Sequence, residues 1–446
     1  MKRYGRGVLP LCLLAPRPPV SCLLVSCLLV SSLLLWGRDA LAYPLDGYDE
    51  TGIRRLEYSR LAHEGEVEGN RQPPGALLPL EEVRLGLSAH PDFEIPSPDA
   101  EFTREVVALL GDKADRYSLL ILDLSDRDRP LYAEHRPLER QNVGSVGKII
   151  AALGLYQALA DVYPDSIDRR KKVLRDTTLT ADAFSQTDHH TIRIFDVDSR
   201  ELIRRPMQIG DQGSLWEYLD WMMSVSSNAA AGMVMRDALL LHHFGVDYPV
   251  SEAKINESFS TTPANELTRL FQATFWRPTE RNGMDLEQIR QGSIFTAGGQ
   301  RKVSGGGLSY ATPRALLQYL LLMEQGRLVD PWSSLEIKRL LYVTERRIRY
   351  ASSPELARAA VYSKSGSLFS CQPEEGFVCH PYHGNVRNYM NSVNIIEHEI
   401  DGKRLYYFVV LISNVLRVNS AVTHQTMATD VHRLIKARHG VDPQAP

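Results

Sequence analysis

Where the strand-like runs fall along these 446 residues constrains the fold more than any other feature. Two runs, 117–124 and 131–134, are joined through Asp126-Arg127-Asp128, and three more lie far downstream at 360–369, 390–397 and 405–412. Asp401-Gly402 joins the last two as a hairpin turn. Helical patterns dominate the interval between the two groups. Residues 149–159 are apolar on nearly every face, which marks a buried helix, and Pro164 stops it. Helices resume at Ser214, and another runs from Asn228 toward Gly245. Thr312-Pro313 supplies an N-cap followed by proline at the first helical position, and a further helix opens at Asp330-Pro331. An alternating stretch within 177–213 reads as an inserted hairpin. A short helix at 102–110 precedes the first strand, and an amphipathic helix at 420–438 closes the chain. The pattern predicts an α+β fold: one antiparallel sheet built from both chain ends, flanked by helices, with a helical lobe at about 145–355 inserted into it.

Residues 1–42 have the marks of an export signal: basic Lys2, Arg3 and Arg6, an apolar run at 20–36, and the small-x-small site Ala40-Leu41-Ala42. Its removal takes five basic residues and one acid, moving the formal charge from −3 to −7. Nothing in that balance favours nucleic acid. The basic runs 169–172 and 346–349 read as solvated faces, and contact with a membrane is expected only through an uncleaved signal. Of five cysteines, Cys371 and Cys379 alone remain in the exported chain, which predicts a disulfide between them and a periplasmic or secreted location. Residues 43–100 are polar, without sustained periodicity, and read as an N-terminal extension ahead of a domain at 101–446.

Three short patterns carry the chemistry. Ser145-Val146-Gly147-Lys148 reads S-x-x-K, Ser226-Ser227-Asn228 reads S-x-N, and Lys364-Ser365-Gly366 reads K-[ST]-G. Each has a competitor or would be weak alone: Ser251 to Lys254 is also S-x-x-K, and Ser392 to Asn394 is also S-x-N. Only the set beginning at Ser145 is complete and ordered. Lys148 falls one helical turn after Ser145 and so shares its face, where a lysine whose pKa is lowered by burial and by a second cation is able to accept a hydroxyl proton.

The ordered triple resembles the signature of the serine β-lactamase and penicillin-binding protein superfamily, closest to the class A β-lactamase-like branch. Residues 309–328, with Thr312-Pro313-Arg314, resemble the helix that precedes the family's third motif. The resemblance implies Ser145 as nucleophile, Lys148 as base and Ser226 as proton relay. It implies substrate contacts from Asn228, Lys364, Ser365 and Gly366, the glycine letting substrate backbone lie against the strand. The oxyanion hole would be the N–H groups of Ser145 and Ser367. Two departures stand out. Ser227 occupies a position where the family usually has Asp, and the only E-x-x-x-N match for a deacylating glutamate is Glu252 to Asn256. The implied activity is hydrolysis of the β-lactam amide through an acyl-serine. The alternatives are a D,D-peptidase, esterase or amidase on cell-wall peptides or small esters, or a sensor that binds penicillin without turnover. No cofactor is implied. Asp188-His189-His190, His242-His243, His380 and His383 read as polar loop or helix-end residues rather than metal ligands.

Overall fold

The computed structural model describes residues 45–342 and 347–444; the expected signal segment lies outside the described residues. Strands β1 (Tyr117–Asp123) and β2 (Leu131–His135) come first, followed by a separate hairpin, β3 (Thr191–Phe195) and β4 (Leu202–Pro206), and then by β5 (Ala360–Ser370), β6 (Arg387–Ile400) and β7 (Lys403–Asn414). The central sheet has the order β2-β1-β7-β6-β5 and is antiparallel throughout. Leu120 faces Val410 across the join between the two chain ends. Asp401 and Gly402 take φ of 53° and 72°, as the two-residue turn requires.

Strand β1 is apolar at successive positions because both faces of the sheet are covered. Leu120 and Leu122 pack with the helical lobe. Leu119 and Ile121 pack on the other face with α2 (Ala100–Ala108) and the C-terminal helix α12 (Ser420–Arg438). Between these lie α3 (Lys148–Val162), α4 (Ile167–Asp176), α5 (Leu215–Met223), α6 (Asn228–Phe244), α7 (Glu252–Thr261), α8 (Ala264–Phe275), α9 (Ala297–Lys302), α10 (Pro313–Glu324) and α11 (Pro331–Tyr342). Every residue of α3 from Lys148 to Leu159 is buried. Gly154 lies where α8 crosses this helix, since a Cβ there would come within 2.7 Å of the Thr274 carbonyl.

The segment expected to be a separate extension is instead part of this packing. Helix α1 (Arg54–Glu64) buries Leu56 and presses Arg55 against Asp220 in a two-pronged pair at 2.7 and 2.6 Å, both side chains 1% exposed. Removing either partner would strand a buried charge, a loss of about 3–5 kcal/mol. Farther along, Gly75 meets the start of β5, where a Cβ would fall 2.1 Å from the Ala359 carbonyl. The basic run at 169–172 is not wholly solvated either: Arg170 is 3% exposed and pairs with Asp330.

Candidate active site

Ser145 lies in a 3-10 turn, Gly144–Gly147, that leads directly into α3. Strand β5 crosses this turn in contact. A Cβ on Gly366 would stand 2.3 Å from the Val143 carbonyl and 2.6 Å from the Ser145 nitrogen. Glycine is therefore required at 366 by the protein's own backbone, apart from the substrate contact that the resemblance implies. Gly144, at φ 52°, makes the matching approach from the other side, its would-be Cβ 3.4 Å from the Ser367 nitrogen. The two nitrogens expected to stabilise an oxyanion are thus carried on touching segments.

Lys148 is fully buried at the head of α3. Its Nζ lies 3.0 Å from Ser145 Oγ, 2.5 Å from the Ser226 carbonyl oxygen, 2.7 Å from Asn228 Oδ1 and 3.3 Å from Ser226 Oγ. Burial pushes its pKa down to about 7, with Asp188 pulling it back up and Arg349 pushing it down. A neutral amine has two N–H bonds and one lone pair. The Ser226 carbonyl and Asn228 Oδ1 can only accept, so they take the two N–H bonds and leave the lone pair to the Ser145 hydroxyl.

Ser226 sits between α5 and α6 at φ 64°, a strained conformation for serine. Its hydroxyl also accepts from Lys364 Nζ at 2.8 Å, so the two lysines meet at one oxygen. Lys364 is held well below the usual lysine range by burial first, then by Lys148 and Arg349. Ser227 caps α6 by accepting from the Ala230 N–H.

Three features escaped the sequence reading. Arg349 belongs to the run read as a solvated face, yet its guanidinium donates to Ser365 Oγ at 2.9 Å and to Ser367 Oγ at 3.1 Å, and stacks on Tyr382 at 5.0 Å. Arg347 of the same run donates to the Leu356 and Ala359 carbonyls. Tyr382 lies in the loop between β5 and β6, three residues beyond the segment that the expected Cys371–Cys379 disulfide closes. Asp188, read as an ordinary loop residue, abuts the second motif: Ser227 Oγ and the Ala229 N–H both donate to its carboxylate. The third is Phe295, whose ring lies 5.0 Å from Lys148 Nζ. The basic run 346–349 and the Asp188-His189-His190 cluster each carried a sequence signal that could have been followed; Phe295 carried none.

Glu252 is not brought to this cluster. It is exposed at the start of α7, beside Lys254, whose ammonium lies over Phe244 at the C-terminal end of α6. Asn228 is at the other end of that 17-residue helix, about 24 Å away along its axis. Among the described residues no carboxylate hydrogen-bonds Ser145 or Lys148. Asp188, His189 and His190 come together as a grouping of metal-binding residue types, and the Asp188 carboxylate already receives the hydrogen bonds of its neighbours.

The profile of Beta-lactamase2, described as a beta-lactamase enzyme family, matches residues 101–386. Among solved structures the chain is similar to PBP-A in its acyl-enzyme complex with penicillin G, at 12% identity over 77% of this chain and 100% of that one, TM-score 0.46. It is also similar to a beta-lactamase from Sphaerobacter thermophilus DSM 20745, at 13% identity over 75% and 96%, TM-score 0.44. A class A beta-lactamase representative from Bacteroides cellulosilyticus DSM 14838 matches at 13% identity over 77% and 99%, TM-score 0.43. No curated protein matches the chain. The profile spans well over half the sequence and all three motifs, and by it the chain belongs to the beta-lactamase enzyme family, serine hydrolases acting on amide bonds.

Proposed function

We propose that this chain is exported and attacks β-lactam amides through Ser145. The observation that carries the reading is the 3.0 Å approach of Lys148 Nζ to Ser145 Oγ, with the other acceptors arranged so that a neutral amine turns its lone pair to that hydroxyl. Lys148 takes the Ser145 proton as Oγ bonds to the carbonyl carbon. The N–H groups of Ser145 and Ser367 hold the developing oxyanion. As the C–N bond breaks, the proton passes from Lys148 through the Ser226 hydroxyl to the departing nitrogen, a path supported by the 3.3 Å contact. Asn228 contacts the substrate amide. Lys364, Ser365 and Arg349 receive a substrate carboxylate, the guanidinium lying beside Ser365 and Ser367.

A second reading concerns the fate of the acyl-serine. Phe295 stands over Lys148, and among the described residues no carboxylate hydrogen-bonds Lys148 or Ser145. Both observations favour an acyl group that is released slowly, as in a penicillin-binding protein, and we assign Glu252 no part in its release. The disulfide supports an oxidising compartment. Intact-mass spectra after mixing with penicillin, alongside turnover of a chromogenic cephalosporin, test both readings. A single adduct on the Ser145 peptide that is absent from Ser145→Ala is expected. Rapid loss of the adduct would select the β-lactamase reading and persistence the binding reading, while an undiminished adduct in Ser145→Ala would overturn the assignment.

A further inference from the structure

The second motif is held by a residue outside all three motifs. Asp188 has a side chain 1% exposed in the segment that leads into the β3–β4 hairpin. One oxygen receives the His189 N–H at 2.9 Å, the His190 N–H at 3.3 Å and His190 Nδ1 at 2.6 Å. The other receives Ser227 Oγ at 2.8 Å and the Ala229 N–H at 3.0 Å. Ser227 thus gives its hydroxyl proton to Asp188 while its oxygen caps Ala230, and its neighbours in sequence are the two residues that grip Lys148. We propose that Asp188 is a positioning residue of the acylation machinery, supplying from the inserted segment the carboxylate that fixes Ser226 and Asn228 around Lys148 and balances its charge.

Three observations converge on that role. Ser226 keeps φ 64° only if the surrounding structure over-determines it, and the Asp188 tether to Ser227 and Ala229 clamps the backbone immediately after it. A carboxylate at a helix start is favoured by the first-turn N–H groups. Among the described residues Asp188 is also the carboxylate that acts on Lys148, opposing burial and Arg349. The other charged or titratable groups facing the pair are His190, which feels both Asp188 and Lys148, His189, whose ring stacks on that of His190, and Lys364. Hydrogen bonds to the Asp188 carboxylate hold its own pKa far below the usual range despite burial, so it stays ionised throughout the range in which Lys148 titrates.

The inference rests on the acyl-serine reading for its consequence, but Lys148 can be titrated without it. Carbon-13 lysine labelling, assigned with Lys148→Arg, follows the Lys148 pKa in the intact chain. Asp188→Asn is expected to lower it by about one unit, and to lower the limiting acylation rate by penicillin about tenfold while moving the acid limb of its pH profile downward. Ser227→Ala cuts the tether but keeps the charge, so it should reduce the rate and leave the pKa in place. His190→Gln should leave the direction of the Asp188→Asn shift unchanged. Asp188→Ala with Ser227→Asp returns a carboxylate and should restore the pKa. An unshifted Lys148 in Asp188→Asn would overturn the proposal. Should that variant not fold, Ser227→Ala decides the matter: a full acylation rate overturns it. Absence of any adduct on the wild-type protein would refute the proposed function alone, and the lysine titration would still judge Asp188.

Discussion

Lowering the pH from 7 to 5 should cost this protein much of its stability, because three histidines are buried in forms that cannot take a proton. His424 lies between Ser392 Oγ and Ser413 Oγ, each at 2.9 Å. His432 bridges Tyr407 OH at 2.7 Å and His398 at 3.0 Å. All three are 0–3% exposed between the sheet and α12. Burial pushes His424 and His432 down from 6.5 to about 3 and His398 to about 4. Since the folded values lie below the unfolded one, the stability they contribute is whole above pH 6.5 and is lost as pH falls toward 3–4. At pH 5 the unfolded chain has already gained each proton, at a cost to folding of about 2 kcal/mol per histidine, or about 6 kcal/mol together. That compares with a total stability of about 5–15 kcal/mol for ordinary domains. His439 runs the other way, raised by its bond to Asp123 and so favouring the folded state at low pH. Urea unfolding at half-unit intervals from pH 7.5 to 4.5 reads the effect as a slope, about 1.4 kcal/mol per pH unit for each proton taken up. His424→Gln should weaken the protein at pH 7 by about 1–3 kcal/mol but remove one proton from that slope. A flat profile between pH 7 and 5, or an undiminished slope in His424→Gln, would show that these histidines do not control acid stability.

Substitutions at and beside the site have their own expected outcomes. Arg349→Ala should raise KM for substrates bearing a carboxylate by about ten- to a hundredfold, since charged hydrogen bonds contribute about 1.5–3 kcal/mol, with far less effect on neutral esters. Because Arg349 pushes both lysines down, its removal should also move the acid limb of acylation upward, opposite to Asp188→Asn. Replacing Cys371 and Cys379 together by alanine should cost at most about 2–3 kcal/mol, because the closed loop is short. Hydrogen exchange should show the loss concentrated in 371–386, around Tyr382, and an unchanged exchange pattern there would count against a bracing role.

Sequence patterning carried the sheet and most helix starts because those signals are local. Asp401-Gly402 dictates its own turn, Thr312-Pro313 its own cap, and β1 its own burial. The three motifs likewise gave Ser145, Lys148, Ser226 and Lys364, which the structure gathers at hydrogen-bonding distance. What escaped depends on partners far away in the chain. Residues 54–64 read as part of a polar extension without periodicity until Asp220 and Glu217 are placed against Arg55 and Arg54. Arg349 reads as one more basic residue until the backbone, at φ 55°, turns it onto β5. Glu252 shows the converse: its E-x-x-x-N spacing is correct, yet it starts α7 beside the end of α6 opposite Asn228.

Pairing β1 with β7 sets the order in which the catalytic parts can come together during synthesis. Ser145, Lys148, Ser226 and Asn228 are made early and belong to helices that can form local contacts. Their partners on β5, Lys364 and Ser367, need a strand whose own support, β6, is completed only at Ile400, and β6 in turn hangs from β7. A chain stopped before residue 403 would hold Ser145 and Lys148, but β1 would have only β2 beside it and would lack β7, the strand that joins it to β6 and β5. Closing so wide an interval makes assembly slow as well as late. A chain that stops short of β7 therefore cannot complete the proposed site: the last strands to be made support the β5 residues that face a serine more than two hundred residues earlier in the sequence.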